Sequence, residues 1–263
     1  MRDKLDSYRE IVQFSPEDHI YRVNYTVVPS VTSLLSQFSA FYYSKVPSEL
    51  MQKKATDGHM VHALTAIADY RIKKGATAET IARDVIDEFA CILEKDDPFK
   101  ELKRFNIDPF PLPQVLSKDV FYKFLGYLTA YAKFVKRFNP AWMDIECRLW
   151  NEQYGYAGTS DRVGILVDRK EYAERFVILD IKTTSKISPL ANLQLAGYAM
   201  TLVDNPSDCS CYILQLMNSG KYILYSMEVG RDEFKAFSGI AVFHAKYIPI
   251  LAKDDGPAFT NKL

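Results

Sequence analysis

The sequence lacks any surplus of charge: Lys+Arg and Asp+Glu both number 33 among 263 residues, so the formal net charge is zero. A strong basic excess is the usual footprint of a nucleic-acid-binding domain, so any such activity has to reside in a local site. Cysteine is scarce too. Its four residues, Cys91, Cys147, Cys209 and Cys211, fit neither a disulfide framework nor a paired CxxC zinc site. They read as small buried hydrophobes in a reducing compartment. No run approaches ~18 uninterrupted apolar residues, so no membrane span is expected. The opening MRDKLDSYREIVQF is charged where a signal peptide needs an apolar core, which predicts a soluble, cytoplasmic protein. Internal repeats and low-complexity tracts are absent. At 48% hydrophobic and 25% charged the composition excludes a disordered or fibrous chain, and the length can bury a full core without staples.

What is present changes texture near residue 140. Phe14 to Val28 alternates apolar and polar residues around Asn24 and predicts a short hairpin ended by Pro29. Ser30 then stands as an N-cap before VTSLLSQF. Helical periodicity runs from about Pro47 to Lys73, with an interruption expected near Asp57-Gly58. It resumes behind a Thr77 cap in TAETIARDVIDEFACILEK. DDPFKELKRFNIDPFPLPQ, with four of the 12 prolines, reads as a surface loop. A further helix runs from Ser117 to just before Pro140. Beyond it MDIECRLW, YAGTSDRVGILV and RFVILDIK are strand-like, with turns at Tyr154-Gly155 and DRKEYAE. A helix from Pro189 to Leu202, the strands CYILQLM and KYILYSMEV around an Asn218-Ser219-Gly220 turn, and a last helix from Asp232 complete the chain. The pattern of helices followed by βββ-α-ββ-α predicts an α/β fold. Residues 141–263 would form a mixed central sheet flanked by helices, and residues 1–140 a mostly helical N-terminal part packed into the same unit.

The chemistry concentrates on two strands, at the end of one and within the other. In Val177-Ile178-Leu179-Asp180-Ile181-Lys182 an apolar run ends in a carboxylate and an ammonium, and burying either is costly unless it is paired or holds a metal. Asp180 and Lys182 share one strand face, about 6–7 Å apart. Asp161 lies in the strand-like Ala157-Gly158-Thr159-Ser160-Asp161-Arg162-Val163. Two strand-borne carboxylates and a backbone carbonyl make an oxygen-rich cage suited to Mg²⁺ or Mn²⁺, with a lysine beside it for a scissile phosphate. A cross-strand Asp–Lys ion pair is the structural alternative. Gln194 and Tyr198 stack at i and i+4 on one helix face. Glu146 is expected to share a strand face with Asp144 and Arg148. Gly58-His59-Met60-Val61-His62 puts two histidines on a helix, either of which could serve the site.

In this order the motifs G-x-x-x-H (Gly58, His62), a strand-borne Glu (Glu146), G-x-x-D (Gly158, Asp161), D-x-K (Asp180, Lys182) and Q-x-x-x-Y (Gln194, Tyr198) resemble the PD-(D/E)xK nuclease superfamily. Within it they are similar to the RecB-type exonucleases. Val28-Pro29-Ser30-Val31-Thr32 also resembles a stretch near the start of many phage-encoded nucleases of this group. Residues 75–137 match no known pattern. The resemblance implies a restriction-endonuclease-like core and a metal-dependent DNA exonuclease. Such an enzyme would be phage- or prophage-encoded, would act in recombination, replication or repair in the bacterial cytoplasm, and would have protein partners from those processes. It implies that Asp161 and Asp180, with the Ile181 carbonyl and His62, hold Mg²⁺ or Mn²⁺. Lys182 would orient or activate the water, Glu146 would assist at the metal or position His62, and Gln194 and Tyr198 would hold the lysine and the DNA strand.

Two features depart from the family. Ser160 stands where an apolar residue is common before the second-motif acid, and the cysteine spacing does not suit the iron–sulfur cluster of some RecB-type members. DNA is expected to be gripped by basic residues about the core, Arg148, Arg162, Lys182 and Lys186 with Lys53 and Lys54, through salt-sensitive phosphate contacts. The 17 tyrosines and 16 phenylalanines offer stacking surfaces for single-stranded bases. A restriction-type or structure-specific endonuclease of the same fold, and a non-catalytic DNA-binding module, are the alternatives. The intact Asp161, Asp180 and Lys182 speak against the last.

Overall fold

The computed structural model of the chain describes residues 1–251 apart from 17, 43, 45, 72–75, 111–117 and 168–175. Five strands form its central sheet: β4 (Pro140–Asn151), β5 (Tyr156–Leu166), β6 (Phe176–Lys182), β7 (Cys209–Leu216) and β8 (Tyr222–Met227). The order is β4-β5-β6-β7-β8, with β6 and β7 parallel and every other pair antiparallel. The parallel pair needs a crossover, which α7 (Ala191–Leu202) supplies. The mixed sheet and its crossover helix are as the sequence predicts. The expected DRKEYAE turn lies largely outside the described residues.

Alternation along β6 sorts the molecule into two layers. Val177, Leu179 and Ile181 point into a core shared with α3 (Ser48–Arg71), α4 (Ala78–Leu93) and α6 (Lys118–Phe138). Ile178 points into a second core with α7, α1 (Arg2–Ile11), α2 (Val31–Tyr42) and Phe237 of α8 (Arg231–Leu251). Asp180 and Lys182 continue the Ile178 face, so the strand delivers them to the α7 side.

The N-terminal part differs from expectation in four places. The charged opening forms α1, which buries Leu5 and Tyr8 and is tied down by Tyr8 Oη donating to the Thr201 carbonyl at 2.9 Å and by an Arg9–Asp144 ion pair. It docks on β4 through a narrow apolar stripe, Leu5 and Tyr8 with Met1 and Ile11 beside them. The expected hairpin is a three-stranded meander, β1 (Val12–Ser15), β2 (Ile20–Val23) and β3 (Thr26–Val28). Helix α3 runs unbroken through Gly58, because the fully packed run Met60–Ala68 outweighs the roughly 1 kcal/mol that one glycine costs. The proline-rich stretch, described as far as Phe110, is no loose surface loop over those residues, since α5 (Pro98–Leu102) and a 3₁₀ turn at Lys103–Phe105 bury Leu102 and Phe105 in the first core. Two caps fall as expected: Thr77 Oγ1 accepts from Thr80 N at 3.1 Å, and Ser30 Oγ from Ser33 N at 2.9 Å. Three cysteines are buried, but Cys91 is exposed on α4. Among the described residues no helix is long and apolar enough to cross a membrane.

Candidate metal centre and its cavity

The β5–β6 register aligns Arg162 with Leu179, Val163 with Ile178 and Gly164 with Val177. One further step sets Asp161 directly opposite Asp180, on one face of the sheet. Asp161 leans across the gap, its Oδ2 accepting the Ile181 N–H at 2.5 Å. Two carboxylates 19 residues apart in sequence thus become neighbours across the sheet, Asp161 in the middle of β5 and Asp180 near the end of β6.

Two further side chains converge on Asp161 from other elements. His62 comes from α3, its Nδ1 3.1 Å from Asp161 Oδ1 and 3.9 Å from Glu146 Oε1. Glu146 comes from β4, where its backbone takes φ 50°, left-handed and rarely adopted by a side chain of this size. Such strain costs on the order of 1–3 kcal/mol and persists only where surrounding contacts fix it. A register shift between Trp142 and Asp144 precedes it. The three residues expected on one face therefore part company: Asp144 pairs with Arg9, Arg148 with Asp108 at 2.7 Å, and Glu146 with Arg162 at 3.1 Å. Donor atoms of His62, Glu146 and Asp161 all lie within 4.8 Å of one another, a spacing that could hold a cation. His59, the competing histidine, faces the Phe110 ring instead.

Asp180 sits in a second, adjoining set of contacts. Its Oδ2 is 2.8 Å from Lys182 Nζ, and Gln194 Nε2 donates to its Oδ1 at 3.4 Å. The same amide donates to Tyr198 Oη at 3.1 Å and accepts from Lys182 Nζ at 3.5 Å. Gln194 and Tyr198, one turn apart on α7, thus bracket the Asp180–Lys182 pair.

The electrostatics are those of crowded carboxylates. Burial, then the charge of Asp161, pushes Glu146 up to about 7 against the pull of His62 and Arg162. Burial also raises Asp180, and Asp161 adds to it, while Lys182 opposes. For Asp161 burial acts upward too, but His62, Lys182 and the Ile181 N–H together hold it below the usual carboxylate value. Burial disfavours the His62 cation, yet Asp161, Glu146 and Asp180 outweigh it and lift the ring to about 9. Without an ion, the imidazolium is the cation that the carboxylates share.

Arg162 is not the DNA contact the sequence suggests. Its side chain is 0% exposed, its Nε donating to Asp69 Oδ2 at 2.6 Å and its Nη2 to Thr65 Oγ1 at 3.1 Å. Asp69 in turn accepts from Tyr131 Oη at 2.7 Å and Trp142 Nε1 at 3.1 Å. A guanidinium so enclosed cannot reach a phosphate; it braces Glu146. Asp69 is the residue that sequence reasoning missed, and its one signal is an acid at helical spacing from Thr65 and His62 on one face of α3. Lys186 is exposed on the β6–α7 connection.

Gly158 explains its own place in the motif. A Cβ there would lie 2.9 Å from the Tyr198 ring and 3.2 Å from Val31 Cγ2, so only glycine lets α2 and α7 close on β5. Above the cluster opens a cavity of about 280 Å³ floored by His62, Glu146 and Asp161. On the other side of His62 a second hollow is lined by Lys54, Gly58, Lys182 and Thr184.

No known protein-family pattern matches this sequence, and no curated protein does. Solved structures do. The crystal structure of an alkaline exonuclease from Laribacter hongkongensis is similar over 73% of this chain and 91% of that one, at 10% identity and a TM-score of 0.32. That of SSO0001 is similar over 81% and 90%, at 13% identity and a TM-score of 0.30.

Proposed function

We propose that the protein is a Mg²⁺- or Mn²⁺-dependent deoxyribonuclease of the PD-(D/E)xK type that acts as an exonuclease. The observation that carries this is the cross-strand alignment of Asp161 with Asp180, with Lys182 on the same face and His62 and Glu146 closing on Asp161. Carboxylate oxygens with one imidazole nitrogen suit a hard divalent ion, and the mutual repulsion that raises Glu146 and Asp180 is what such an ion would relieve. His62, Glu146 and Asp161 would hold it, with Asp180 and the Ile181 carbonyl, the further ligands that the sequence resemblance implies, at the adjoining position. A bound ion supplies Lewis-acid polarisation of the phosphoryl oxygen and a water acidic enough to attack it.

The chain's own groups do the rest. Lys182 Nζ would offer a positive donor to the negative charge that builds on the phosphoryl oxygens, an interaction stronger in the transition state than in the ground state. Gln194 fixes both members of the Asp180–Lys182 pair, and Tyr198 fixes Gln194. Arg162, held by Asp69, steadies Glu146. A phage or prophage origin and a role in recombination, replication or repair belong to this proposal through the sequence resemblance.

The test is cleavage of a 5′-labelled linear strand beside a covalently closed circle, each with Mg²⁺ and with EDTA. The linear strand is expected to be degraded with Mg²⁺ alone, and the circle to survive. A cut circle would make the protein an endonuclease. No cleavage of either would remove the nuclease function.

A further inference from the structure

Above the carboxylates the cavity has walls of a different chemistry. One is the meander: Phe14 of β1 and Tyr21 of β2 face each other across the strand pair, their ring centroids 4.6 Å apart, with His19 edge-on to Phe14 at 5.2 Å. Tyr21 Oη is bonded to Thr159 Oγ1 at 2.9 Å, and Thr159 shares a strand face with Asp161. The aromatic wall is thereby pinned two residues from the proposed metal ligand. A second aromatic pair lines the same cavity, His59 of α3 against Phe110, ring centroids 6.2 Å apart, beside Ile107.

Among the described residues no lysine or arginine lines this cavity, and its floor is anionic. Above the proposed metal ligands its walls therefore offer a phosphate no cationic side chain, and offer flat, polarisable surface instead. The hollow across His62 differs in carrying Lys54 and Lys182, with Thr183 and Thr184, on an otherwise apolar lining that includes Met51 and Ile181.

We infer that the cavity lined by Phe14/Tyr21 and His59/Phe110 is a stacking pocket for one unpaired nucleobase of the strand being cut, while the hollow on the lysine side of His62 takes the phosphates that follow. This rests on the nuclease proposal and deepens it. A base lodged among these rings has left its duplex stack, so the strand at the site is single-stranded, and paired DNA has to fray before it enters. Stacking is indifferent to base identity because every base presents a π-face.

The test is binding in EDTA, where no strand is cut, so that it is independent of catalysis. Fluorescence anisotropy is measured for a labelled oligo(dT) and for a series in which a single abasic residue is moved along the strand. Affinity is expected to fall about tenfold when the abasic residue reaches one particular position, and to be unchanged elsewhere. Phe14→Leu, which keeps bulk but not the ring, and Phe110→Ala, in the second pair, should each weaken oligo(dT) binding about as much and abolish the abasic penalty. The scan on the parent protein needs no variant to fold, and the two variants lie on independent elements. A flat scan overturns the pocket, as does a penalty that survives both substitutions. If the penalty is found but Mg²⁺ produces no cleavage, the base pocket stands and the nuclease proposal falls; cleavage with a flat scan means the opposite.

Discussion

Asp180 and Lys182 share a strand face and an ion pair, yet they are expected to fail differently when replaced. Asp180→Asn preserves shape but removes the charge that attracts a divalent ion, so Mn²⁺ binding and cleavage should be lost together. Lys182→Ala leaves Asp161, Glu146 and His62 in place. Mn²⁺ should still bind, while cleavage falls by about 10²-fold or more, the usual scale for removing one donor that acts on developing charge. Calorimetric Mn²⁺ titration beside a nuclease assay separates the two. Parent-level cleavage by Lys182→Ala, or parent-level Mn²⁺ affinity in Asp180→Asn, would leave the pair a mere structural ion pair. This much was legible in the sequence, because strand alternation puts Asp180 and Lys182 on one face and the apolar run before them marks a buried strand. The partner of Glu146 was not. Its left-handed backbone overrides alternation, and nothing in Asp-Ile-Glu-Cys announces a positive φ.

At the scale of elements, the decisive contact is between α3 and the sheet. Helix α3 carries His62 and, two turns later, Asp69, whose carboxylate gathers Arg162 of β5, Tyr131 of α6 and Trp142 of β4. The position of His62 over Asp161 thus depends on an acid seven residues away. Asp69→Ala leaves the buried Arg162 guanidinium with Glu146 as its remaining carboxylate partner and its Nε unpaired, and breaking a buried pair from one side typically costs about 3–5 kcal/mol. Urea unfolding should show a loss of that size, and Mn²⁺ affinity should drop with it because α3 no longer presents His62. A loss below about 1 kcal/mol would mean that the helix is held by its apolar packing alone. Arginine is ordinarily a surface residue, which is why Arg162 reads from sequence as a DNA contact. Its burial is a property of three other elements and invisible locally. The same holds for α1 and for the α5 segment, whose few apolar residues become core only because β4 and α3 are there to receive them. The five-strand pattern, by contrast, is written in consecutive β-branched runs and needs no tertiary information.

At the scale of the whole molecule, a protein with 33 charges of each sign has no long-range field to draw DNA in. Two of the arginines that sequence offered for the task are committed elsewhere, Arg162 in the interior and Arg148 to Asp108. The described lysines near the site are Lys182, paired with Asp180, and Lys54 in the hollow beside His62, with the exposed Lys53 and Lys186 close by in sequence. Four phosphate contacts on a single strand give a slope of log affinity against log salt of about −3, far shallower than that of strongly basic DNA-binding proteins. Replacing Lys54 and Lys186 together by Ala should flatten the slope by about 1.4, and should weaken single strands of every sequence equally, since phosphates carry no sequence information. The stacking contribution of the aromatic pocket, which releases no counterions, should remain as a salt-independent offset. Anisotropy titrations of oligo(dT) across a NaCl series measure both quantities at once. A slope as steep as about −6 would place the binding surface elsewhere, on charges remote from His62 and Lys182.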